Sequence, residues 1–393
     1  MKSKHFSILF ILLILSLFLS ACAGGAATAA SSWPGLTVDG ETAYLAYNQH
    51  VYAINVADGK EKWRFPLEAN NKISFYTAPV MTPDGQLIVG GYDHILYSID
   101  PQTGKEKWSF TDAKNRYIGS PLVNQAGIFA PTADDHLYAL DFQGKLLWSF
   151  PTQGAQWASP VADPTCECIY LASMDHYLYA INTSDGAQVW KSEDLGGSMV
   201  GTPAYNTDGT LYVGTFNNEI LAISSENGKV LWRKPTNGWV WGGPAIKDGK
   251  IYFGDLTGTF YAMDASNGNL LWKLNPGTGD ASGQGTQRSN PDGPIVQTPL
   301  LTDELIYFTT RVGSIFGVSY SGETKFFIDI HQLDKSICGD PKNIKVRPSV
   351  KLFSSPVLAG DKILVAPTEA DELLYALDAN GKPTWCPFIP EKK

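Results

Sequence analysis

The stretch from Pro79 to Trp108, PVMTPDGQLIVGGYDHILYSIDPQTGKEKW, decides the fold. Pro79 opens a short apolar segment, Asp84-Gly85 supplies a tight turn, and Leu87 to Gly90 runs back. Leu96-Tyr97-Ser98-Ile99-Asp100 follows, Thr103-Gly104-Lys105 turns again, and Trp108 closes the unit. Asp-Gly pairs provide the positive φ that tight hairpins need. A proline is tolerated in a sheet only at a strand start or an edge, so Pro79 suits an innermost strand whose free side faces a channel. Leu-Tyr-Ser-Ile is apolar on both faces, as in a strand sandwiched between neighbouring sheets. Its small central residue leaves room for a neighbour's large side chain.

The same unit of about 40 residues recurs through the chain. Its opening prolines are Pro34, Pro79, Pro121, Pro160, Pro203, Pro244, Pro299 and Pro356. Its closing aromatics are Trp63, Trp108, Trp148, Trp190, Trp232, Trp272, Phe326 and Trp385, so the seventh copy departs with Phe. A chain of 393 residues would ordinarily divide into two or three domains, but a repeat overrides that expectation. One four-stranded sheet cannot bury both of its faces; stacked radially, eight sheets cover one another and leave short edges. The sequence therefore predicts an all-β, eight-bladed β-propeller of four-stranded antiparallel blades.

Within the repeat stands Ala-x-Asp/Asn-x-x-x-Gly-x-x-x-Trp, as Ala53-Ile54-Asn55 through Trp63 and again ending in Trp190, Trp272 and, one residue shorter, Trp385. This string resembles the tryptophan-docking motif of pyrroloquinoline-quinone (PQQ)-like propeller repeats, over residues 33–388. The resemblance implies that Trp63, Trp108, Trp148, Trp190, Trp232, Trp272 and Trp385 dock blade on blade. It implies a fold rather than a function. The family includes quinoprotein dehydrogenases, the lipoprotein subunit of the outer-membrane β-barrel assembly machinery, and other exported propellers. Several of those dehydrogenases are much longer and stack the quinone on a disulfide between adjacent cysteines, whereas Cys166 and Cys168 are separated by Glu167. No cofactor is expected, PQQ included.

The N-terminus lies outside the repeat. Lys2 and Lys4 precede an apolar run from Phe6 to Leu19, the pattern of a secretory signal peptide. Leu19-Ser20-Ala21-Cys22 resembles the lipobox of bacterial lipoproteins, which implies cleavage after residue 21 and acylation of Cys22. Residues 22–32, rich in Ala, Gly, Ser and Thr, then read as a flexible tether, with the propeller at 33–393. Two or three acyl chains anchor a protein stably. Loss of Lys2 and Lys4 moves the formal charge from −9 to −11, which makes nucleic acid a poor partner. The expected location is the cell envelope, on an extracytoplasmic membrane face, with the propeller a monomer.

Candidate sites are few. Cys166 and Cys168 lie in a hairpin turn of blade four, where Cys168 reads first as a strand residue facing a neighbour; a strained disulfide between the two, or metal or redox chemistry, are the alternatives. Cys338, in an insertion, and Cys386, after Trp385, are expected to form a disulfide on an oxidising side of the membrane; two unpaired buried thiols are the alternative. His50, His94, His136 and His176, with Asp93, Asp135 and Asp175 beside three of them, recur at the turn before the third strand. A metal or pH-sensing ring would need them to converge, yet stacked sheets sit about 10 Å apart and metal–His bonds are about 2 Å; solvated turn residues are expected. Three residues before the opening prolines stand Tyr76, Ile118, Trp157, Val200, Trp241, Val296 and Phe353, with Ser31 in blade one. They read either as plugs of the inter-blade seams or as an aromatic rim, Tyr76, Trp157, Trp241 and Phe353, that receives a partner. Insertions at 275–294 and 330–350 both link a fourth strand to the next first strand, which places them on one face.

With no convergent nucleophile, base or ligand set, the leading expectation is a non-enzymatic, lipid-anchored scaffold that binds a protein or peptide in the envelope. Outer-membrane protein assembly is the role closest to it within the resemblance. The alternatives are a PQQ-dependent dehydrogenase-like enzyme and a small-molecule or glycan sensor at the channel mouth.

Overall fold

The computed structural model describes residues 34–163, 165–275, 293–333, 336–338 and 350–391. Within them, seven four-stranded antiparallel sheets follow one another with strands in simple sequence order, and an eighth, shorter sheet completes an eight-bladed propeller. Blade two is representative: Val80–Met81, Leu87–Gly90, Leu96–Ile99 and Glu106–Phe110. The second and third strands of each blade are almost wholly buried, as in LIVG and LYSI of blade two. The fourth, outermost strand alternates exposed and half-buried residues, as in VLWRKP of blade five. This inside-to-outside gradient follows from radial stacking.

The small residue of the third strand has a definite use. Ala53 pairs with Trp63, Ser98 with Trp108, Ala139 with Trp148, Ala180 with Trp190, Ala222 with Trp232 and Ala262 with Trp272, each followed by a shift of register. Directly opposed residues of an antiparallel pair share a face, so the Trp lies over the small side chain of its own blade. In blade seven the pair is Gly317 and Phe326, and the extra residue forms a one-residue bulge. The expected room for a large neighbour is thus filled from within the blade.

From there each indole reaches forward. Trp63 donates its Nε1–H to the Pro101 carbonyl at 2.8 Å, Trp148 to Thr183 at 3.0 Å, Trp190 to Ser225 at 2.8 Å, Trp232 to Ala265 at 3.1 Å and Trp272 to Tyr320 at 3.0 Å. Trp108 bonds both the Phe142 carbonyl, at 3.1 Å, and Gln86 Oε1, at 3.0 Å. Each ring also lies against the turn glycine of the following blade, where φ runs from 69° to 90°. A Cβ on Gly104 would meet Trp63 at 2.6 Å, and one on Gly228 would meet Trp190 at 2.6 Å. Conformation and contact both demand glycine there.

The core consists of eight inter-blade clusters, one for each seam. Among the described residues no sheet contains strands from both chain ends. Blade eight meets blade one through side chains instead. Trp385 donates to the Val56 carbonyl at 3.0 Å and covers Gly59. Phe388 packs edge-on to Tyr52 with centroids 5.4 Å apart. Buried Arg64 lies over the Tyr52 ring, pairs with Glu61 and reaches the Glu391 carbonyl at 3.1 Å.

The eighth blade departs from expectation. It has three regular strands, Val357–Ala359, Lys362–Val365 and Tyr375–Leu377. The segment carrying Trp385 forms no regular strand beside the third; it meets it through the isolated bridges Leu377–Pro383 and Leu374–Phe388 and through the Thr384 amide, which donates to the Ala376 carbonyl at 2.9 Å. Pro383 and Pro387 flank Trp385 and have no N–H to donate to a ladder.

Candidate partner-binding surface

In each blade the antiparallel order puts three features on one face: the entry to the first strand, the turn between second and third strands, and the exit of the fourth. Both insertions leave from this face, after Asn275 and at Ile330. The second begins with short 3-10 turns, Ile330–Gln332 and Ser336–Cys338. Residues 276–292, 334–335 and 339–349 lie outside the described residues, as do residues 1–33, where the signal peptide, the acylated Cys22 and the tether are expected and where Ser31 stands.

Six of the rim positions come together. Ile118, Trp157, Val200, Trp241, Val296 and Phe353 line one cavity of about 210 Å³, to which blades three through eight all contribute. Tyr76 does not line it; it is 7% exposed and stacks on Tyr92, ring centroids 3.7 Å apart. In an extended chain alternate residues share a face, so the residues just before the prolines join the same lining: Ser120, Ser159, Thr202, Gly243, Thr298 and Ser355. The residues between turn toward the next blade. A Cβ on Gly119 would lie 2.7 Å from the Ala158 carbonyl oxygen, and one on Gly201 would lie 2.8 Å from that of Trp241. Glycine at these points lets the inner segments close on one another, and a tier of hydroxyls lies beside a tier of apolar rings.

On the blade four to six side the rings form a wall. Trp157 and Trp241 have centroids 6.2 Å apart, and Phe216 lies 5.2 Å from Trp241 and 4.8 Å from Trp239. Trp239 is 46% exposed. Two exposed arginines sit on the rim: Arg116 is 5.0 Å over Tyr92, and Arg311 is 5.2 Å over Phe353.

The histidines stay apart. His94 and His176 adopt φ of 69° and 75° at the turn, whereas His50 and His136 begin the third strands of their blades. Among the described residues no three His, Cys, Asp or Glu side chains gather as a metal site. The acidic neighbours hold tyrosines: Asp93 accepts from the Tyr97 hydroxyl at 2.5 Å, Asp134 from Tyr138 at 2.9 Å, Asp175 from Tyr179 at 2.7 Å and Asp255 from Tyr261 at 2.9 Å. The first three stand at Asp-x-x-x-Tyr, a recurring spacing that sequence reading passed over in favour of the histidines. Burial pushes Asp93 above the usual carboxylate range despite its bond from Tyr97. Burial pulls His50 below its ordinary value, although its Nδ1 lies 2.8 Å from the Pro66 carbonyl.

Both cysteine pairs are joined. Cys338 and Cys386 have Cα atoms 5.0 Å apart, which ties the second insertion to the segment that closes the ring. Cys166 and Cys168 have Cα atoms 5.2 Å apart, with Cys168 opening the second strand of blade four.

No curated protein sequence matches the chain. Among solved structures, BamB from Moraxella catarrhalis superposes with a TM-score of 0.63 at 15% identity, covering 88% of this chain and 93% of that one. The computationally designed Ika8 protein superposes with a TM-score of 0.67 at 13% identity, covering 91% and 96%. At such identities the likeness is one of fold. Residues 24–114, 47–190 and 174–324 match the family model described as outer membrane protein assembly factor BamB. These stretches take in well over half of the sequence, and the chain belongs to this family of PQQ-like repeat propellers.

Proposed function

We propose that the chain is a lipid-anchored, extracytoplasmic scaffold that binds protein partners on its insertion-bearing face and serves outer-membrane protein assembly. The observation that carries this reading is the coincidence, on one face, of the departure points of both insertions and an aromatic wall of half-buried Trp157, Phe216 and Trp241 with exposed Trp239. Aromatic side chains are the commonest anchors of protein interfaces. The family description supports the assembly role. The lipobox-like Leu19-Ser20-Ala21-Cys22 supports attachment through Cys22.

At the channel mouth, cavity size weighs against a small-molecule ligand. Ligand pockets usually run from about 300 to 1,000 Å³, and the mouth offers about 210 Å³. In this reading the protein works without a cofactor.

The test is photo-crosslinking from position 239 in an envelope preparation, with a probe at Lys325, on the outer edge of blade seven, as reference. Components of outer-membrane protein assembly are expected from position 239 alone. They should disappear when residues 276–292 and 339–349 are replaced by short Gly-Ser linkers. Equal products from both probes, or products indifferent to the linkers, would overturn the scaffold reading.

A further inference from the structure

The channel mouth has a capacity and a chemistry that fit one kind of occupant. Its volume of about 210 Å³ equals roughly seven water molecules at about 30 Å³ each. That is room for a single large side chain and less than an ordinary ligand pocket of about 300–1,000 Å³. Its lining is graded from the apolar rim residues Trp157, Trp241 and Phe353 to the hydroxyls of Ser159, Thr202 and Thr298. A purely apolar anchor would displace water from the hydroxyl tier and offer it no polar group, which is unfavourable. An aromatic ring with a polar tip satisfies both tiers.

Charge narrows the partner further. The chain carries a formal net charge of −9, yet guanidinium groups crown the rim at two separate points, Arg116 over Tyr92 and Arg311 over Phe353. Stacked on ring faces, they are held in place and present positive charge to whatever enters between them.

We propose that the mouth is an anchor socket for one tyrosine side chain, presented on a loop of a protein partner and flanked there by acidic residues. The socket rests on the scaffold reading and specifies the partner's chemistry. The ring enters between Trp157, Trp241 and Phe353, its hydroxyl meets the Ser159, Thr202 and Thr298 hydroxyls, and the flanking carboxylates meet Arg116 and Arg311. A tyrosine supplies large contact area with few rotatable bonds, so little ordering opposes its binding.

The experiment uses the full chain in detergent and dye-labelled cyclic peptides with Asp-Glu-Tyr-Asp at the turn, read by fluorescence anisotropy. Replacing the peptide's Tyr by Ala should weaken binding tenfold or more, by Phe several-fold, and Lys in place of its acidic residues should weaken it tenfold. Thr202→Val, which preserves shape, should abolish the preference for Tyr over Phe. Arg311→Gln should reduce the preference for acidic flanks. Ser159→Phe, which fills the cavity, should remove binding while the thermal melt stays that of a folded propeller. Equal binding of the Tyr and Ala peptides, or binding untouched by Ser159→Phe, would overturn the socket. The two readings fail separately: if Ser159→Phe leaves envelope crosslinks from position 239 intact, the socket is wrong and the scaffold stands. If peptides bind as expected but those crosslinks ignore the insertions, the scaffold reading falls and the socket remains.

Discussion

Trp190 and Gly228 show how much of a blade joint rests on two residues. The indole donates to the Ser225 carbonyl at 2.8 Å and lies flat against Gly228, whose φ is 72°. An alanine there faces a left-handed backbone and an indole 2.6 Å away. Gly228→Ala is expected to cost about 1–3 kcal/mol, measured as a fall in the urea midpoint, and a midpoint at or above that of the parent chain would contradict the docking geometry. The identities of these residues were legible because they recur in register. The acceptors were not, since a backbone carbonyl leaves no mark on the sequence. The Asp–Tyr bonds were hidden for another reason: Asp93, Asp135 and Asp175 stand beside histidines, and only packing shows that Asp134, rather than Asp135, meets a tyrosine.

At the scale of elements, the first hairpin of blade four is set by a carboxylate. Asp163 accepts from the Thr165 amide at 2.8 Å, the Thr165 hydroxyl at 2.6 Å and the Tyr170 hydroxyl at 2.8 Å. Burial alone would raise its pKa, but these bonds and one from Tyr205 outweigh it and hold the carboxyl below its ordinary value of 3.8. A depressed carboxylate contributes stability that is complete above its unfolded value and is lost as pH falls through the folded one. Asp163→Asn should therefore lower the urea midpoint by a constant amount above about pH 4, and the gap to the parent should shrink at lower pH; a gap that widens on acidification would refute the assignment. The hairpins were legible from their Asp-Gly, Asn-Gly and Thr-Gly turns. The broken fourth strand of blade eight was overlooked because Trp385 stands in register while Pro383 and Pro387 deny the ladder its donors. The rim was legible as a ring, but only packing shows that Tyr76 is buried on Tyr92 while six partners share one cavity.

The whole molecule depends on a joint that no strand of the described residues crosses. Trp385, Phe388 and the Arg64 cluster hold blade eight to blade one, and the Cys338–Cys386 link secures the segment from behind. Trp385→Ala should cost about 3–5 kcal/mol, and hydrogen exchange should rise first in blades one and eight, since local opening begins where contacts are fewest. Uniform loss of protection around the ring would show that closure does not rest on this residue. His50, whose pKa burial depresses, lies beside the same joint; its contribution is present above its ordinary value of 6.5 and declines as pH falls below it.

The absence of a shared sheet has a consequence for the order in which the blades are written. Seven tryptophans and, in blade seven, Phe326 reach forward onto the turn glycine of the next blade, so the contacts form a directional cycle that closes after eight steps of about 45° each. The joints combine these side-chain contacts with backbone hydrogen bonds such as that from the Phe75 amide to the Asn48 carbonyl and that from the Tyr117 amide to the Gly91 carbonyl, and the gap between blade eight and blade one lacks a covalent connector. Circular permutation, with the ends joined and a new break placed in any fourth-to-first-strand connector, leaves each indole with its carbonyl and its glycine. Where the polypeptide starts is in that sense independent of the architecture it builds.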